Sequence, residues 1–304
     1  MLAGEFERAW EISDRVLRER AGEPCWDWPR HEQHIWRGAS LAEQRVLIRC
    51  YHGLGDTVQF IRYLPMVQNL AREVGVWVQP TLIPLLRSMK ASATWLPLHD
   101  GKPEFEYDAD IEIMELPHYF RSSAASLPNA TPYLFAEPRQ PLESGRTLQV
   151  GLAWTAGSWN PARSVSLEEI SPLLSVPGIT WHALQRGGAL QEWREQWGPV
   201  SGSDRIEEAA KVMRSLDLVI SVDSLPSHLA AALGVETWTL LPRPPDWRWL
   251  AEGERSPWYP SMRLFRQEKA GEWRTLVANV KAALKQRLDG EGLPENHTRR
   301  GERV

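Results

Sequence analysis

Cysteine is nearly absent from this 304-residue chain. Only Cys25 and Cys50 occur, with no C-x-x-C spacing, which excludes a disulfide framework and a cysteine-rich zinc site and fits a reducing compartment. No apolar run is long enough to span a bilayer, and the opening segment "MLAGEFERAWEISDRVLRER" has no apolar stretch of the secretory type. A cytoplasmic location is expected, with membrane contact limited to peripheral association. Runs of one charge are missing too: the formal net charge is -4 and the cations are spread along the chain, so no footprint for nucleic acid is present. Tyrosine and phenylalanine are scarce, six of each, beside 16 tryptophans. Indoles stack on sugar faces, but they also serve as packing residues and interface anchors.

What is present is ordinary globular material, 42% apolar and 24% charged, in a length that suits two cores of usual size. Phe6, Trp10, Val16 and Leu17 recur at helical spacing in a leader over residues 1–37. "RVLIRCY" then reads as a strand, "DTVQFIRYLPMVQNLARE" as a helix disturbed at Pro65, "GVWVQ" as a strand, "PTLIPLLRSM" as a short helix and "ADIEIMEL" as a strand. This series spans residues 38–140. A polar connector over 138–147 has the composition of a hinge. The alternation restarts over residues 147–288: strand "LQVGLAW", helix "SLEEISPLLSV", strand "ITWHALQ", helix "GALQEWREQW", helix "RIEEAAKVMRSL", strand "DLVISVD", helix "SLPSHLAAALG", strand "TWTLLP". The expected class is α/β, with two Rossmann-like domains whose parallel sheets face each other across a cleft. Residues 289–304 are polar and aperiodic, and disorder is expected there.

Two stretches carry candidate chemistry. "HGLGDT" lacks the lysine of a nucleotide P-loop, and the dinucleotide fingerprint fails at Val58 and at Gln79, where a ribose-binding acid belongs. Gly53 and Gly55 instead form a tight turn that delivers Asp56 to the start of a helix, after the carboxyl end of a strand, where ligands collect in such sheets. Aspartate is also a preferred N-cap, so capping alone accounts for it. In the other half, "LDLVISVDSLPSHLAAALG" ends a strand on Asp223, caps a helix with Ser224, and places His228 one turn later. That helix start offers amide N–H groups and a positive dipole end suited to diphosphate, although a packing role for the histidine fits equally. "DAD" at 108–110 looks like a metal-binding D-x-D but opens a strand and reads as solvated surface. The sequons at Asn129 and Asn296 carry no meaning in a cytoplasmic chain. "LLPRPPDWRWL", with Asp246, Arg248 and two indoles, reads either as a ligand grip or as an interdomain clamp.

Taken together, "GLGDTVQFIRY", "GLAWTAGSWNPARS", "ALQRG", "LDLVISVDSLPSHLAAALG" and "DWRW…SPWYPSMRLFRQ" resemble glycosyltransferase family 9, the heptosyltransferase group. The resemblance runs from about Trp36 to Leu284 and is closest to the transferase domain of bacterial tetratricopeptide-repeat proteins. It implies a GT-B fold and inverting transfer of a sugar from a nucleotide-sugar to a hydroxyl acceptor (glycan, lipid-linked or protein), with no metal. By position it implies Asp56 as general base in the Gly53–Gly55 loop. On the donor side it implies Trp154, Thr155 and Arg163, the turn Gln185, Arg186 and Gly187, and the trio Asp223, Ser224 and His228. The loop after "LQVGLAW" departs from the heptosyltransferase pattern: it offers Arg163 where those enzymes carry a lysine. A transferase-like binding module without turnover and a nucleotide-sugar epimerase are the competing readings.

Overall fold

The computed structural model describes residues 1–139 and 147–290. Helix α1 (Phe6–Glu19) buries Phe6 and Trp10. Its Trp10 Nε1–H donates to the Ser122 carbonyl at 2.7 Å, and Asp14 pairs with His118 and Arg121, so the helix is docked against the first α/β unit. That unit contains β1 (Arg45–Arg49), α2 (Leu54–Phe60), α3 (Leu64–Gln68), β2 (Glu73–Val78), α4 (Ile83–Leu86), β3 (Thr94–Pro97), β4 (Ala109–Glu112) and α5 (Leu116–Tyr119). Its four strands are parallel in the order β3-β2-β1-β4, with Ile48 opposite both Val76 and Ile111. Strands buried on both faces read as nearly unbroken apolar runs, and β1 and β2 have that character.

The second unit contains β5 (Leu148–Ala153), α6 (Leu167–Ile170), β6 (Ile179–Ala183), α7 (Ile206–Met213), β7 (Leu218–Val222), α8 (Leu225–Ala232), β8 (Thr237–Leu241), β9 (Met262–Arg266) and α9 (Trp273–Leu288). Five parallel strands run in the order β6-β5-β7-β8-β9. The back of this sheet has its own core, where Trp181, Trp238 and Leu240 meet Leu276, Val280 and Leu284 of α9. The front does not. One apolar cluster extends from Val46, Ile48 and Ile111 of the first sheet through α7 and α8 to Ala153, Met262 and Leu264 of the second, so the two units share a core.

Several expectations need correction. Strand β3 lies in a stretch to which the sequence assigned no element, and β9 with α9 follows the last expected strand. β3 is four residues long and carries its own proline, too short for a periodicity signal. The expected helix over "GALQEWREQW" is a pair of 3-10 turns, Gly188–Glu192 and Glu195–Trp197, interrupted where Trp193 and Arg194 take extended backbone; there Trp193 stacks on Trp154 at 5.6 Å and crosses Trp197 edge-on. The long helix at Pro65 already breaks at Ile61–Tyr63, which is a 3-10 turn. "DAD" lies at the surface as expected for Asp108, which is exposed, but its acids are engaged: Asp108 pairs with Arg45 and Arg72, and the partly buried Asp110 with Arg49. Most of the connector and the tail from residue 291 lie outside the described residues.

Candidate functional site

Strand β1 ends at Arg49, and Gly53, in extended backbone, leads into α2. Asp56 is the third residue of that helix and not its N-cap. Its Oδ2 reaches back to accept the Gly53 N–H at 3.0 Å, which answers an amide left unpaired at the helix start. Its Oδ1 accepts from Arg248 Nη1 at 2.8 Å. Burial pushes the Asp56 carboxyl up, but the charge and hydrogen bond of Arg248 outweigh it and hold the group below its ordinary value. Arg248 also contacts Asp246 Oδ1 at 2.9 Å and Gln59 Oε1 at 3.0 Å. Burial works against its charge, while Asp246, Asp56 and Asp223 hold the guanidinium protonated. The segment read as grip or clamp therefore joins the two units through Arg248.

Opposite, β7 ends at Val222 and α8 begins at Leu225 after Asp223 and Ser224. Ser224 occupies the N-cap position without capping through its side chain; its Oγ instead donates to the Val222 carbonyl at 3.2 Å. The carbonyl of Asp223 accepts from Arg163 Nη1 at 2.9 Å. His228 is buried, stacks on Trp249 with ring centroids 5.3 Å apart, and has Nε2 3.6 Å from Asp223 Oδ1. Burial raises the Asp223 carboxyl, and the His228 contact overcomes this to leave it lowered.

The two motifs meet. A Cβ built on Gly55 would stand 3.2 Å from His228 Cδ2 and 3.7 Å from the Leu225 backbone, so the absence of a side chain lets the starts of α2 and α8 approach. Asp56, Asp223, Ser224, His228 and Arg163 thus belong to one connected site. Beside it is a cavity of about 310 Å³ lined by Thr155, Gly157, Gln185, Arg186, Ser224 and Leu225 among others.

The remaining expected residues divide. Gln185 Oε1 accepts the N–H groups of Trp154 and Thr155 at 3.0 and 2.9 Å, and its amide donates to Thr155 Oγ1 at 2.6 Å, so it ties two loops at the cavity wall. Gly187 has φ +75°, which a side chain disfavours. The Arg186 side chain turns toward Asp204, donating from Nε at 2.9 Å. The Trp154 indole is buried in the rear core, leaving only its backbone at the site. Sequence reasoning passed over Gln59, Arg62 and Tyr259. Arg62 is a buried cation, with Tyr259 beneath its guanidinium at 4.3 Å from the ring centroid, and an arginine among aromatic residues seven places after Gly55 gives little signal by itself. Among the described residues no group of three or more His, Cys, Asp or Glu could hold a metal ion, and no helix is long and apolar enough to cross a membrane.

The model of Glycosyltransferase family 9 (heptosyltransferase) matches residues 189–268, the stretch that contains α7, β7, α8, β8 and the Arg248 segment. The chain is similar to glycosyltransferase family 9. Protein FlbA of Caulobacter vibrioides is 27% identical to this family 9-like chain over 82% of its length and 48% of FlbA's own, so the chain spans about half of that relative. Among solved structures, the iron-containing dodecameric glycosyltransferase TibC of enterotoxigenic E. coli superposes with a TM-score of 0.57 at 16% identity, covering 84% of this chain and 82% of TibC. The E. coli heptosyltransferase WaaC, solved with ADP-2-deoxy-2-fluoro heptose, gives 0.51 at 14% identity, covering 82% of this chain and all of WaaC. At these identities the likeness establishes the fold, the GT-B type that the family resemblance implies.

Proposed function

We propose that the chain is a glycosyltransferase that moves a sugar from a nucleotide-sugar to a hydroxyl acceptor, with inversion and without a metal, in the gap between the starts of α2 and α8. The observation that carries this reading is the meeting of an acid from one sheet edge with an anion-suited helix start from the other, beside the cavity lined by Thr155, Gln185 and Ser224. The donor's diphosphate lies against the start of α8 near Arg163 and His228. Charge developing on the leaving oxygen is stabilised there by fixed donors. Asp56 is the acceptor-side base. Its carboxylate is held ionised, and it becomes free to take a proton when Arg248 turns from it toward the incoming diphosphate. A neighbour of the same fold has been solved with ADP-D-beta-D-heptose, which makes ADP-heptose the first donor to try. We further place the protein in the cytoplasm, in keeping with its two free, buried cysteines.

One observation favours a second reading, a binding module without turnover: Asp56 is engaged by both Gly53 and Arg248. The experiment is sugar release or transfer from a panel of ADP-, GDP- and UDP-sugars, with and without EDTA, by the wild type, Asp56→Asn and His228→Ala. Turnover that survives EDTA and falls in both variants supports the transferase. Unchanged rates in both variants remove the role assignment, and binding without turnover in the wild type supports the module.

A further inference from the structure

His228 owes its orientation to a residue of neither motif. Its Nδ1 lies 3.0 Å from the Tyr259 hydroxyl, and Tyr259 is fully buried. A phenol has one proton, so its direction follows from accounting for every neighbour. The Arg62 guanidinium, which only donates, lies over the Tyr259 ring and also donates to the Tyr133 hydroxyl at 2.9 Å. Tyr133 in turn gives its proton to the Val58 carbonyl at 2.8 Å, and its oxygen is 3.5 Å from Tyr259. The acceptor nearest the Tyr259 proton is therefore His228 Nδ1.

We propose that Tyr259 is a positioning residue that fixes the His228 ring in the tautomer carrying its proton on Nε2, so that the histidine presents an N–H to the donor side of the gap. With Nδ1 occupied as an acceptor, the neutral ring carries its N–H at Nε2, on the side of Asp223 and next to the start of α8. The reverse tautomer would turn a lone pair toward an anionic diphosphate. Burial pushes the Tyr259 phenol well above its ordinary value, which keeps the required proton in place. The device also spans the two units. Arg62 follows α2 and donates to the carbonyls of Gln59, Pro128 and Trp258, whereas Tyr259 lies between β8 and β9. The tautomer is thus set only where the units pack together. This role in catalysis rests on the transferase reading, but the tautomer itself does not.

The test is nitrogen-15 NMR of the histidine rings of the full chain at neutral pH. His228 is expected with its proton on Nε2 in the wild type, and in a mixed or reversed state in Tyr259→Phe. In sugar release from ADP-heptose, or from the panel donor that turns over, Tyr259→Phe is expected to lower kcat roughly fivefold to tenfold, the scale of one lost hydrogen bond. His228→Gln, whose amide supplies an N–H near the position of Nε2, retains more activity than His228→Ala and loses less than about twofold on adding Tyr259→Phe, well inside that scale. A wild-type proton on Nδ1, or an unchanged tautomer in a folded Tyr259→Phe, overturns the proposal. A wild type that turns over no donor counts against the transferase reading, and the NMR result then decides the positioning role alone.

Discussion

Replacing Arg248 with glutamine removes one of the charges that join the two units, and the consequence depends on pH in a calculable way. Arg248 is 10% exposed and Asp56 25% exposed, and the guanidinium also contacts Asp246 and Gln59. Stranding one partner of a buried pair costs about 3–5 kcal/mol. Asp56 keeps the Gly53 N–H and some access to water, so about 2–3 kcal/mol is expected near neutral pH. The folded-state value of Asp56 is depressed, so the contribution is fully present above the unfolded carboxyl's value of about 4. It is lost as pH falls through the lower folded value. Urea unfolding followed by tryptophan fluorescence, with 16 indoles as reporters, should show a wide gap between wild type and Arg248→Gln at neutral pH that narrows steadily in acid. A neutral-pH gap below about 0.5 kcal/mol, the scale of an ordinary surface change, or a gap of the same size in acid, refutes the reasoning.

Glu115 gives the opposite slope. Burial pushes its carboxyl up to about 8 despite N–H donors from Glu112 and Trp36, so its ionisation should erode stability by up to about 1.4 kcal/mol per pH unit as pH rises from the unfolded value toward the folded one. Glu115→Gln should therefore melt above the wild type increasingly over that window, and parallel melting curves would contradict this. Gly55→Ala sets a helix gain of about 1 kcal/mol against a methyl 3.2 Å from His228, so melting should shift little while donor turnover falls; unchanged turnover would show that the close approach is unimportant. Gly198 has φ +134° and a built Cβ 2.0 Å from the Trp181 carbonyl, so Gly198→Ala should lose about 3 kcal/mol or more in urea unfolding, and a loss under about 1 kcal/mol would be a failure.

The alternating pattern was legible because each βα step leaves a local mark: apolar runs in β1 and β7, a glycine at the N-cap of α2, a serine before α8 and a proline in its first turn. Asp56, Asp223, Ser224 and His228 were found at strand ends for the same reason. What was not legible depends on contacts far apart in the chain. Arg248 meets Asp56 across 192 positions and Arg62 meets the Trp258 carbonyl across 196, and no spacing rule links such partners. Arg186 shows the converse. Its motif is intact, yet Asp204, 18 residues away, holds the guanidinium aside. Asp56 was placed three helical positions too early because a helix start is set by backbone geometry at Gly53, and a capping aspartate and one at the third helical residue look alike in sequence.

The apolar cluster common to both sheets bears on how the gap admits its ligands. Swinging the halves apart as rigid bodies would wet residues of α7, α8 and the first sheet together and uncover a cationic arginine seated among carbonyls and rings. The proposed turn of the Arg248 side chain away from Asp56 exposes far less. Separated halves would each present a greasy face and stick together, so the chain is built to be made, and to unfold, in one piece.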